Sequence, residues 1–293
     1  MNHNSRSIVG FCLVFALVGT ILLITTHAQT LTASLEQEQG TLSGNVTTGS
    51  DSTASNNAYV QFGSSSTGYV FDDEFSGSSV DTSLWLVNVG GSSSNGELEC
   101  FQPANVNESV GFLTETAKVD NSCSGYSYTS GAIQSKFSFT SGTVDVRAKL
   151  SGGTGTWPAI WLLGTGCQPW RMGTGGCNPA WPQQGSDESD IAEILYNNHT
   201  SVNEQLHTAS SGSACSPSVS DVTQNFHTYT LVWTPGSMIW KIDGITTCTQ
   251  TSGVPSDRMF LIINTSVGGI GGGSVNNSTL PQTTTVDYVH ISS

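Results

Sequence analysis

Apolar and polar residues alternate over short stretches along most of this chain, the period-two pattern of strands with one buried face. Stretches of strand character run over 132–139, 143–150, 156–163, 227–234, 238–243, 259–264 and 284–291. Turn signals separate them: Ser141-Gly142, Ser151-Gly152-Gly153, Pro235-Gly236 and Asp243-Gly244. No long stretch repeats apolar residues at i, i+3, i+4 and i+7, so helix content should be low. Even spacing without internal repeats favours a sandwich or jelly roll over a propeller. Between Gln29 and Thr67 the pattern lapses into Ser, Thr, Gly and Asn with few large apolar residues. Such a segment buries too little surface to fold alone and reads as a disordered linker over 29–68. Strand character begins near Tyr69-Val70-Phe71, which leaves 69–293 as one all-β domain.

The N-terminus departs from that pattern. Arg6 precedes a near-continuous apolar run from Ile8 to Ile24, and Thr26-His27-Ala28 supplies small residues for cleavage. The run is 17 residues long, at the lower edge of a bilayer crossing, so 1–28 reads as a signal peptide rather than an anchor. The expected destination is extracellular. Without 1–28 the chain keeps 7 basic and 22 acidic residues, a net charge of −15. That surface repels nucleic acid and anionic lipid and suits a neutral substrate.

Export also bears on the cysteines. Cys12 leaves with the leader, and Cys100, Cys123, Cys167, Cys177, Cys215 and Cys248 remain, an even set for disulfides. Cys167 and Cys177 flank one Gly/Pro-rich loop and are expected to close it. Cys215–Cys248 and Cys100–Cys123 are then the preferred pairs. Zinc is disfavoured, because no Cys-x-x-Cys or Cys/His spacing is present. Asn-x-Ser/Thr sequons open at Asn45, Asn107, Asn198, Asn264, Asn276 and Asn277, for use only in a glycosylating host.

The candidate chemistry lies in Glu188-Ser189-Asp190-Ile191-Ala192-Glu193, three carboxylates in six positions of a chain only 10% charged. On a regular strand Glu188 and Asp190 share a face and Glu193 takes the other. One inserted residue, a β-bulge, would bring all three to one face. The carboxyls of Glu188 and Glu193 could then come within about 6 Å, near the spacing of a retaining glycosidase. A solvated edge strand or a calcium loop is the plainer alternative.

Upstream, Trp157, Ala159 and Trp161 share one strand face and Ile160 and Leu162 the other. The two indoles could offer flat platforms to sugar rings, with N–H groups free to bond, or could simply fill a core. Trp170 and Trp181 lie on the 167–184 loop, which could wall a cleft or be a stapled surface insertion. His207, on the next apparent strand, could touch substrate or tune the glutamates, or be purely structural. The glycine run 268–273 lacks the Lys-Ser/Thr and helix of a phosphate loop.

Taken together, these segments resemble glycoside hydrolase family 16, its laminarinase-like branch. The likeness runs from Tyr69 to Ile291 through Asp73-Glu74-Phe75, Glu97-Leu98-Glu99, Tyr128-Thr129-Ser130-Gly131, Trp157-Pro158-Ala159-Ile160-Trp161, Glu188–Glu193, Leu206-His207, Ile242-Asp243-Gly244 and Val286-Asp287-Tyr288-Val289. It implies a β-jelly roll of two antiparallel sheets with a concave cleft, and a retaining endo-hydrolase of β-glucan. By the same resemblance Glu188 is the nucleophile, Glu193 the acid/base and Asp190 the helper between them. Trp157, Trp161 and His207 would line the central subsites. Catalysis would need no cofactor, while Asp287, with Glu74, would hold a structural calcium. Two positions depart from the family: Ser189, usually aliphatic, and Ile270, where a tryptophan is frequent. The partner expected is a polysaccharide, with no nucleic acid, no membrane for the mature form, and a monomeric protein. A transglycosylase differs only in whether sugar or water takes the intermediate. A non-catalytic glucan binder should lack one of the glutamates.

Overall fold

A computed structural model describes residues 46–50, 58–62, 68–91, 95–170, 176–210 and 212–293. The leader at 1–28 lies outside the described residues. The chain divides into two units, 1–67 and 68–293. In the first, within the stretch expected as linker, β1 (Val46–Ser50) and β2 (Ala58–Phe62) form an antiparallel hairpin.

The second unit follows the alternating pattern. Its strands are β3 (Tyr69–Asp73), β4 (Trp85–Val87), β5 (Gly90–Gly91), β6 (Glu99–Phe101), β7 (Val106–Ser109), β8 (Phe112–Val119), β9 (Tyr128–Ser130), β10 (Ala132–Phe139) and β11 (Gly142–Lys149). They continue as β12 (Thr156–Gly164), β13 (Glu188–Glu193), β14 (Asn203–His207), β15 (Ala214–Cys215), β16 (His227–Thr234), β17 (Ser237–Ile242), β18 (Ile245–Gln250) and β19 (Met259–Val267). A single helical turn, α1 (Gly269–Gly272), precedes β20 (Gln282–Ser292). Among the described residues no helix is long and apolar enough to cross a membrane.

Two sheets form. A seven-stranded sheet runs β15-β14-β13-β12-β19-β10-β4. An eleven-stranded sheet runs β18-β17-β16-β11-β20-β8-β9-β6-β5, with β3 on β20 and β7 on β8. Pairing is antiparallel throughout except between β6 and β9. β10 and β16 keep the expected bounds, while β19 runs on to Val267, past the expected end at 264. Thr265, Ser266 and Val267 lie past the expected strand. Their backbones nevertheless stay in the ladder, because β12 pairs with β19 as far as Thr156 opposite Val267.

The inward faces meet in one apolar core. Ile160, Leu162, Ile191, Leu261 and Ile263 of the smaller sheet pack with Val144, Val146, Leu231, Trp233, Met238 and Trp240 of the larger. Each such side chain contributes about 1.5–3 kcal/mol by leaving water. All three expected disulfides are present: Cys100–Cys123, Cys167–Cys177 and Cys215–Cys248. The third joins an edge strand of one sheet to an edge strand of the other.

Candidate active site

β13 carries the bulge that its spacing requires. Across β12, Ala159 and Ile160 pair with Glu193 and Ala192, and Trp161, Leu162 and Leu163 with Asp190, Ser189 and Glu188. Ile191 is thus left without an opposite residue. Across β14, Asp190 faces Gln205 and Glu193 faces Asn203, so Ile191 and Ala192 together oppose Glu204. The extra residue resets the alternation. Ile191 and Ala192 join the core, and Glu193 turns to the face of Glu188 and Asp190.

Each carboxylate has distinct company. Glu188 Oε2 accepts the indole N–H of Trp181 at 3.0 Å, and His207 Nε2 lies 3.7 Å from its Oε1. His207 Nε2 is also 3.2 Å from Asp190 Oδ2. Glu193 is held from both sides: Oε1 accepts from Trp157 Nε1 at 2.8 Å and Oε2 from Asn203 Nδ2 at 2.9 Å. Burial pushes the Glu188, Asp190 and Glu193 carboxyls above their ordinary range. The neighbouring charge adds to this at Asp190, where Glu193 is the second cause. The two N–H donors and His207 oppose the rise at Glu193. Glu188 is the most open of the three, its side chain 20% exposed against 4% for Asp190. At Glu188 the charge of Asp190 adds to the burial effect, while His207 and the Trp181 N–H oppose it. One site therefore gathers three carboxyls whose proton affinity is raised, with N–H donors on two of them, a set suited to acid/base work on a glycosidic bond.

The tryptophans differ from expectation in their N–H groups. Trp157, Trp161 and Trp181 donate to Glu193, Asn264 Oδ1 and Glu188 respectively, so none is free for sugar. A half-buried indole N–H finds a protein acceptor wherever one is in reach. Trp157 also has its ring covered. A Cβ on Gly271 would lie 2.3 Å from the Trp157 ring, so the glycine run forms α1 as a thin lid over that indole. Trp161 stays half-buried, with Trp170 edge-on at 5.2 Å. Gln134 fixes Trp170 in place: its Oε1 accepts the Trp170 backbone N–H at 2.9 Å and its Nε2 donates to the carbonyl at 2.7 Å. Trp181 is 47% exposed and tilts against His207 at 5.4 Å. The disulfide-closed loop is thus both a stapled insertion and a wall of the site. Ser189 points inward, fully buried, and its hydroxyl has no hydrogen-bond partner among the described residues.

The two residues expected to hold calcium each meet a basic side chain. Asp287 is taken by the Arg147 guanidinium, and Glu74 lies 2.6 Å from His290 Nε2. A carboxylate already opposed by a basic side chain is a poor ligand for a hard cation. Among the described residues, one group of three metal-capable side chains lies close together, and it is Glu188, Asp190 and His207. Sequence reasoning missed Asn203, Asn264 and Gly271, polar or small residues of common types whose roles arise only from strand register.

The profile described as "Glycosyl hydrolases family 16" matches residues 100–289. The chain belongs to that family. Similar proteins include a beta-glucanase of Rhodothermus marinus, 32% identical, covering 76% of this chain and 84% of the relative. The endo-1,3-1,4-beta-glycanase ExsH of Rhizobium meliloti strain 1021 is 28% identical over 66% of this chain. This chain spans only 43% of that relative's length. Among solved structures, LamA_E269S of Zobellia galactanivorans, in complex with laminaritriose and laminaritetraose, has a TM-score of 0.70 at 27% identity. The match covers 76% of this chain and 98% of that one. The two stacked sheets are accordingly the family 16 jelly roll.

Proposed function

We propose that this family 16 protein is a secreted, retaining endo-β-glucanase that cleaves β-1,3-glucan or mixed β-1,3/1,4-glucan as a monomer. The observation that carries the reading is the bulged β13, which sets Glu188, Asp190 and Glu193 on one face with two N–H donors on Glu193. Two of the similar proteins support the substrate class, one being named a beta-glucanase and one holding laminari-oligosaccharides.

In the proposed reaction the Glu188 carboxylate attacks the anomeric carbon while Glu193 gives its proton to the departing glycosidic oxygen. The C–O bond to the leaving sugar breaks and a glycosyl ester on Glu188 forms. Glu193, now ionised, takes a proton from water. The water oxygen replaces Glu188 at the same carbon, which restores both groups and retains configuration. Asp190 hands charge between them, and His207 beside it favours the ionised form of Glu188. Trp161 and Trp181 supply apolar ring surface to the sugars, and Trp157 orients Glu193.

Incubation with laminarin, barley glucan, xyloglucan, agarose and carrageenan, with products resolved by size, tests this. Short oligosaccharides from laminarin or barley glucan are expected. Products longer than the starting chains would point to transfer instead, and intact polysaccharide throughout would overturn the reading.

A further inference from the structure

The bulge in β13 faces a second irregularity on the other sheet. Between β17 and β18, Trp240 pairs with Cys248 and Lys241 with Thr246, so Thr247 has no opposite residue. Two side-chain hydrogen bonds cross the core from this second bulge to the first. Trp240, 1% exposed, donates its indole N–H to the backbone carbonyl of Asp190 at 2.8 Å. Thr247 donates its hydroxyl to Oε1 of Glu204 at 2.6 Å. Glu204 is the β14 residue that stands opposite Ile191 and Ala192. It also pairs with Cys215, whose disulfide partner is Cys248, the residue opposite Trp240.

A bulge breaks the ladder and leaves backbone polar groups to find other partners, and a buried carbonyl without one is costly. The Asp190 carbonyl sits at the break. Trp240 reaches it from across the core, in a direction that neither neighbouring strand supplies. We infer that Trp240 and Thr247 form a strut between the two bulges and act as positioning residues for the carboxylate face of β13. The strut fixes the offset between Asp190 and Glu193, because the ladder alone would let β13 slip towards regular pairing and turn Glu193 away. It touches neither substrate nor reacting atoms, and it rests on the proposed role of Glu188, Asp190 and Glu193.

Trp233 provides a matched control. It too is a buried core indole of the larger sheet, 1% exposed, but its N–H goes to the carbonyl of Pro255 at 3.1 Å. Trp240→Phe and Trp233→Phe each lose one buried indole hydrogen bond, so comparable falls in melting temperature are expected. Only Trp240→Phe should lower kcat on laminarin, by about tenfold or more, with KM within about twofold. Thr247→Val, close in shape, should lower kcat by a smaller factor with little loss of stability, and it keeps the test open should Trp240→Phe not fold. Carboxyl ¹³C NMR titration of Glu193 needs no substrate. Its midpoint should move in Trp240→Phe and Thr247→Val and stay in Trp233→Phe. Equal kcat and equal titration in the Trp240 and Trp233 variants, or an unaltered Thr247→Val where Trp240→Phe does not fold, would overturn the strut. A wild-type protein inactive on every glucan would overturn the proposed function instead, and the NMR comparison would still decide the strut.

Discussion

The two sheets bury their residues in different ways. In the larger sheet β17 alternates strictly between half-exposed and buried positions, and β11 does so over most of its length. In the smaller sheet β19 is buried at all nine positions and β13 at five of six. One sheet has a solvated outer face. The other has a second face that is polar and largely buried, with Asp190, Glu193, Asn203, Asn264 and Ser266 all buried there, and opens only around Glu188 and His207. Polar groups shut away from water must satisfy one another, so each becomes a fixed point. Along β11 and β17 of the larger sheet, by contrast, every second position stays half-exposed and adjustable. Function has gathered where polar groups have no freedom to rearrange.

Mutations on the enclosed face should therefore act on rate, and those on the solvated face on almost nothing. The largest effect is expected from Glu188→Ala, which should lower kcat on laminarin by more than about 10³-fold with an unchanged melting curve. Added azide should restore turnover, and activity that survives without it would misplace the nucleophile. Glu193→Gln should cost about 10²–10⁴-fold in kcat. Because the Glu193 carboxyl is raised, wild-type activity is expected to fall as pH climbs through that pKa. A pH–rate series on Glu193→Gln should lack this alkaline limb.

Glu99 sharpens the comparison from the side of stability. It is fully buried, and one of its oxygens accepts the Val267 N–H at 2.7 Å. Burial lifts its pKa from 4.5 to about 8. The unfolded chain releases this proton near 4.5 and the folded one only near 8, so folding stability should fall as pH rises across that window. The loss amounts to about 3–5 kcal/mol at most. Urea unfolding at either end of the window should show a smaller loss in Glu99→Gln than in the wild type, since the other raised carboxyls contribute to both. A smaller effect is expected of Gly271→Ala, whose new methyl would displace the Trp157 ring and with it the Glu193 bond. A loss of about tenfold in kcat with KM nearly constant would fit, and unaltered kcat would show that α1 is mere cover. At the bottom of the scale, Arg147→Ala breaks an ion pair on the solvated sheet. It should leave kcat unchanged and shift stability by no more than about 1 kcal/mol.

The same contrast governs what could be read from the sequence. The solvated sheet was legible because alternation is its signature: 227–234 and 238–243 were placed to within a residue. The Cys167–Cys177 bridge could be read from its Gly/Pro-rich loop, whereas the other two pairs were preferences among pairings that an even count leaves open. The acids were legible because six residues with three charges leave few geometries, and a bulge is the one that gathers them. The rest of the site was not. Asn203 and Asn264 look like ordinary polar residues, and only register sets one against Glu193 and the other against Trp161. The glycine run has no motif, since its purpose is to leave room for Trp157. Nor does sequence reveal that Arg147 meets Asp287 and His290 meets Glu74.

Asn264 carries one more consequence. It opens the sequon Asn-Thr-Ser in the middle of β19, yet it is 5% exposed and its amide accepts the Trp161 N–H while donating to Ser266. In a cell that transfers oligosaccharide to nascent chains, sugar addition there competes with closure of the sheet. A chain decorated at Asn264 could not seat Trp161 or complete the ladder. The yield of native protein from such a host would depend on whether β19 docks before the transferase arrives, so the choice of expression host becomes a kinetic test of how early this strand folds.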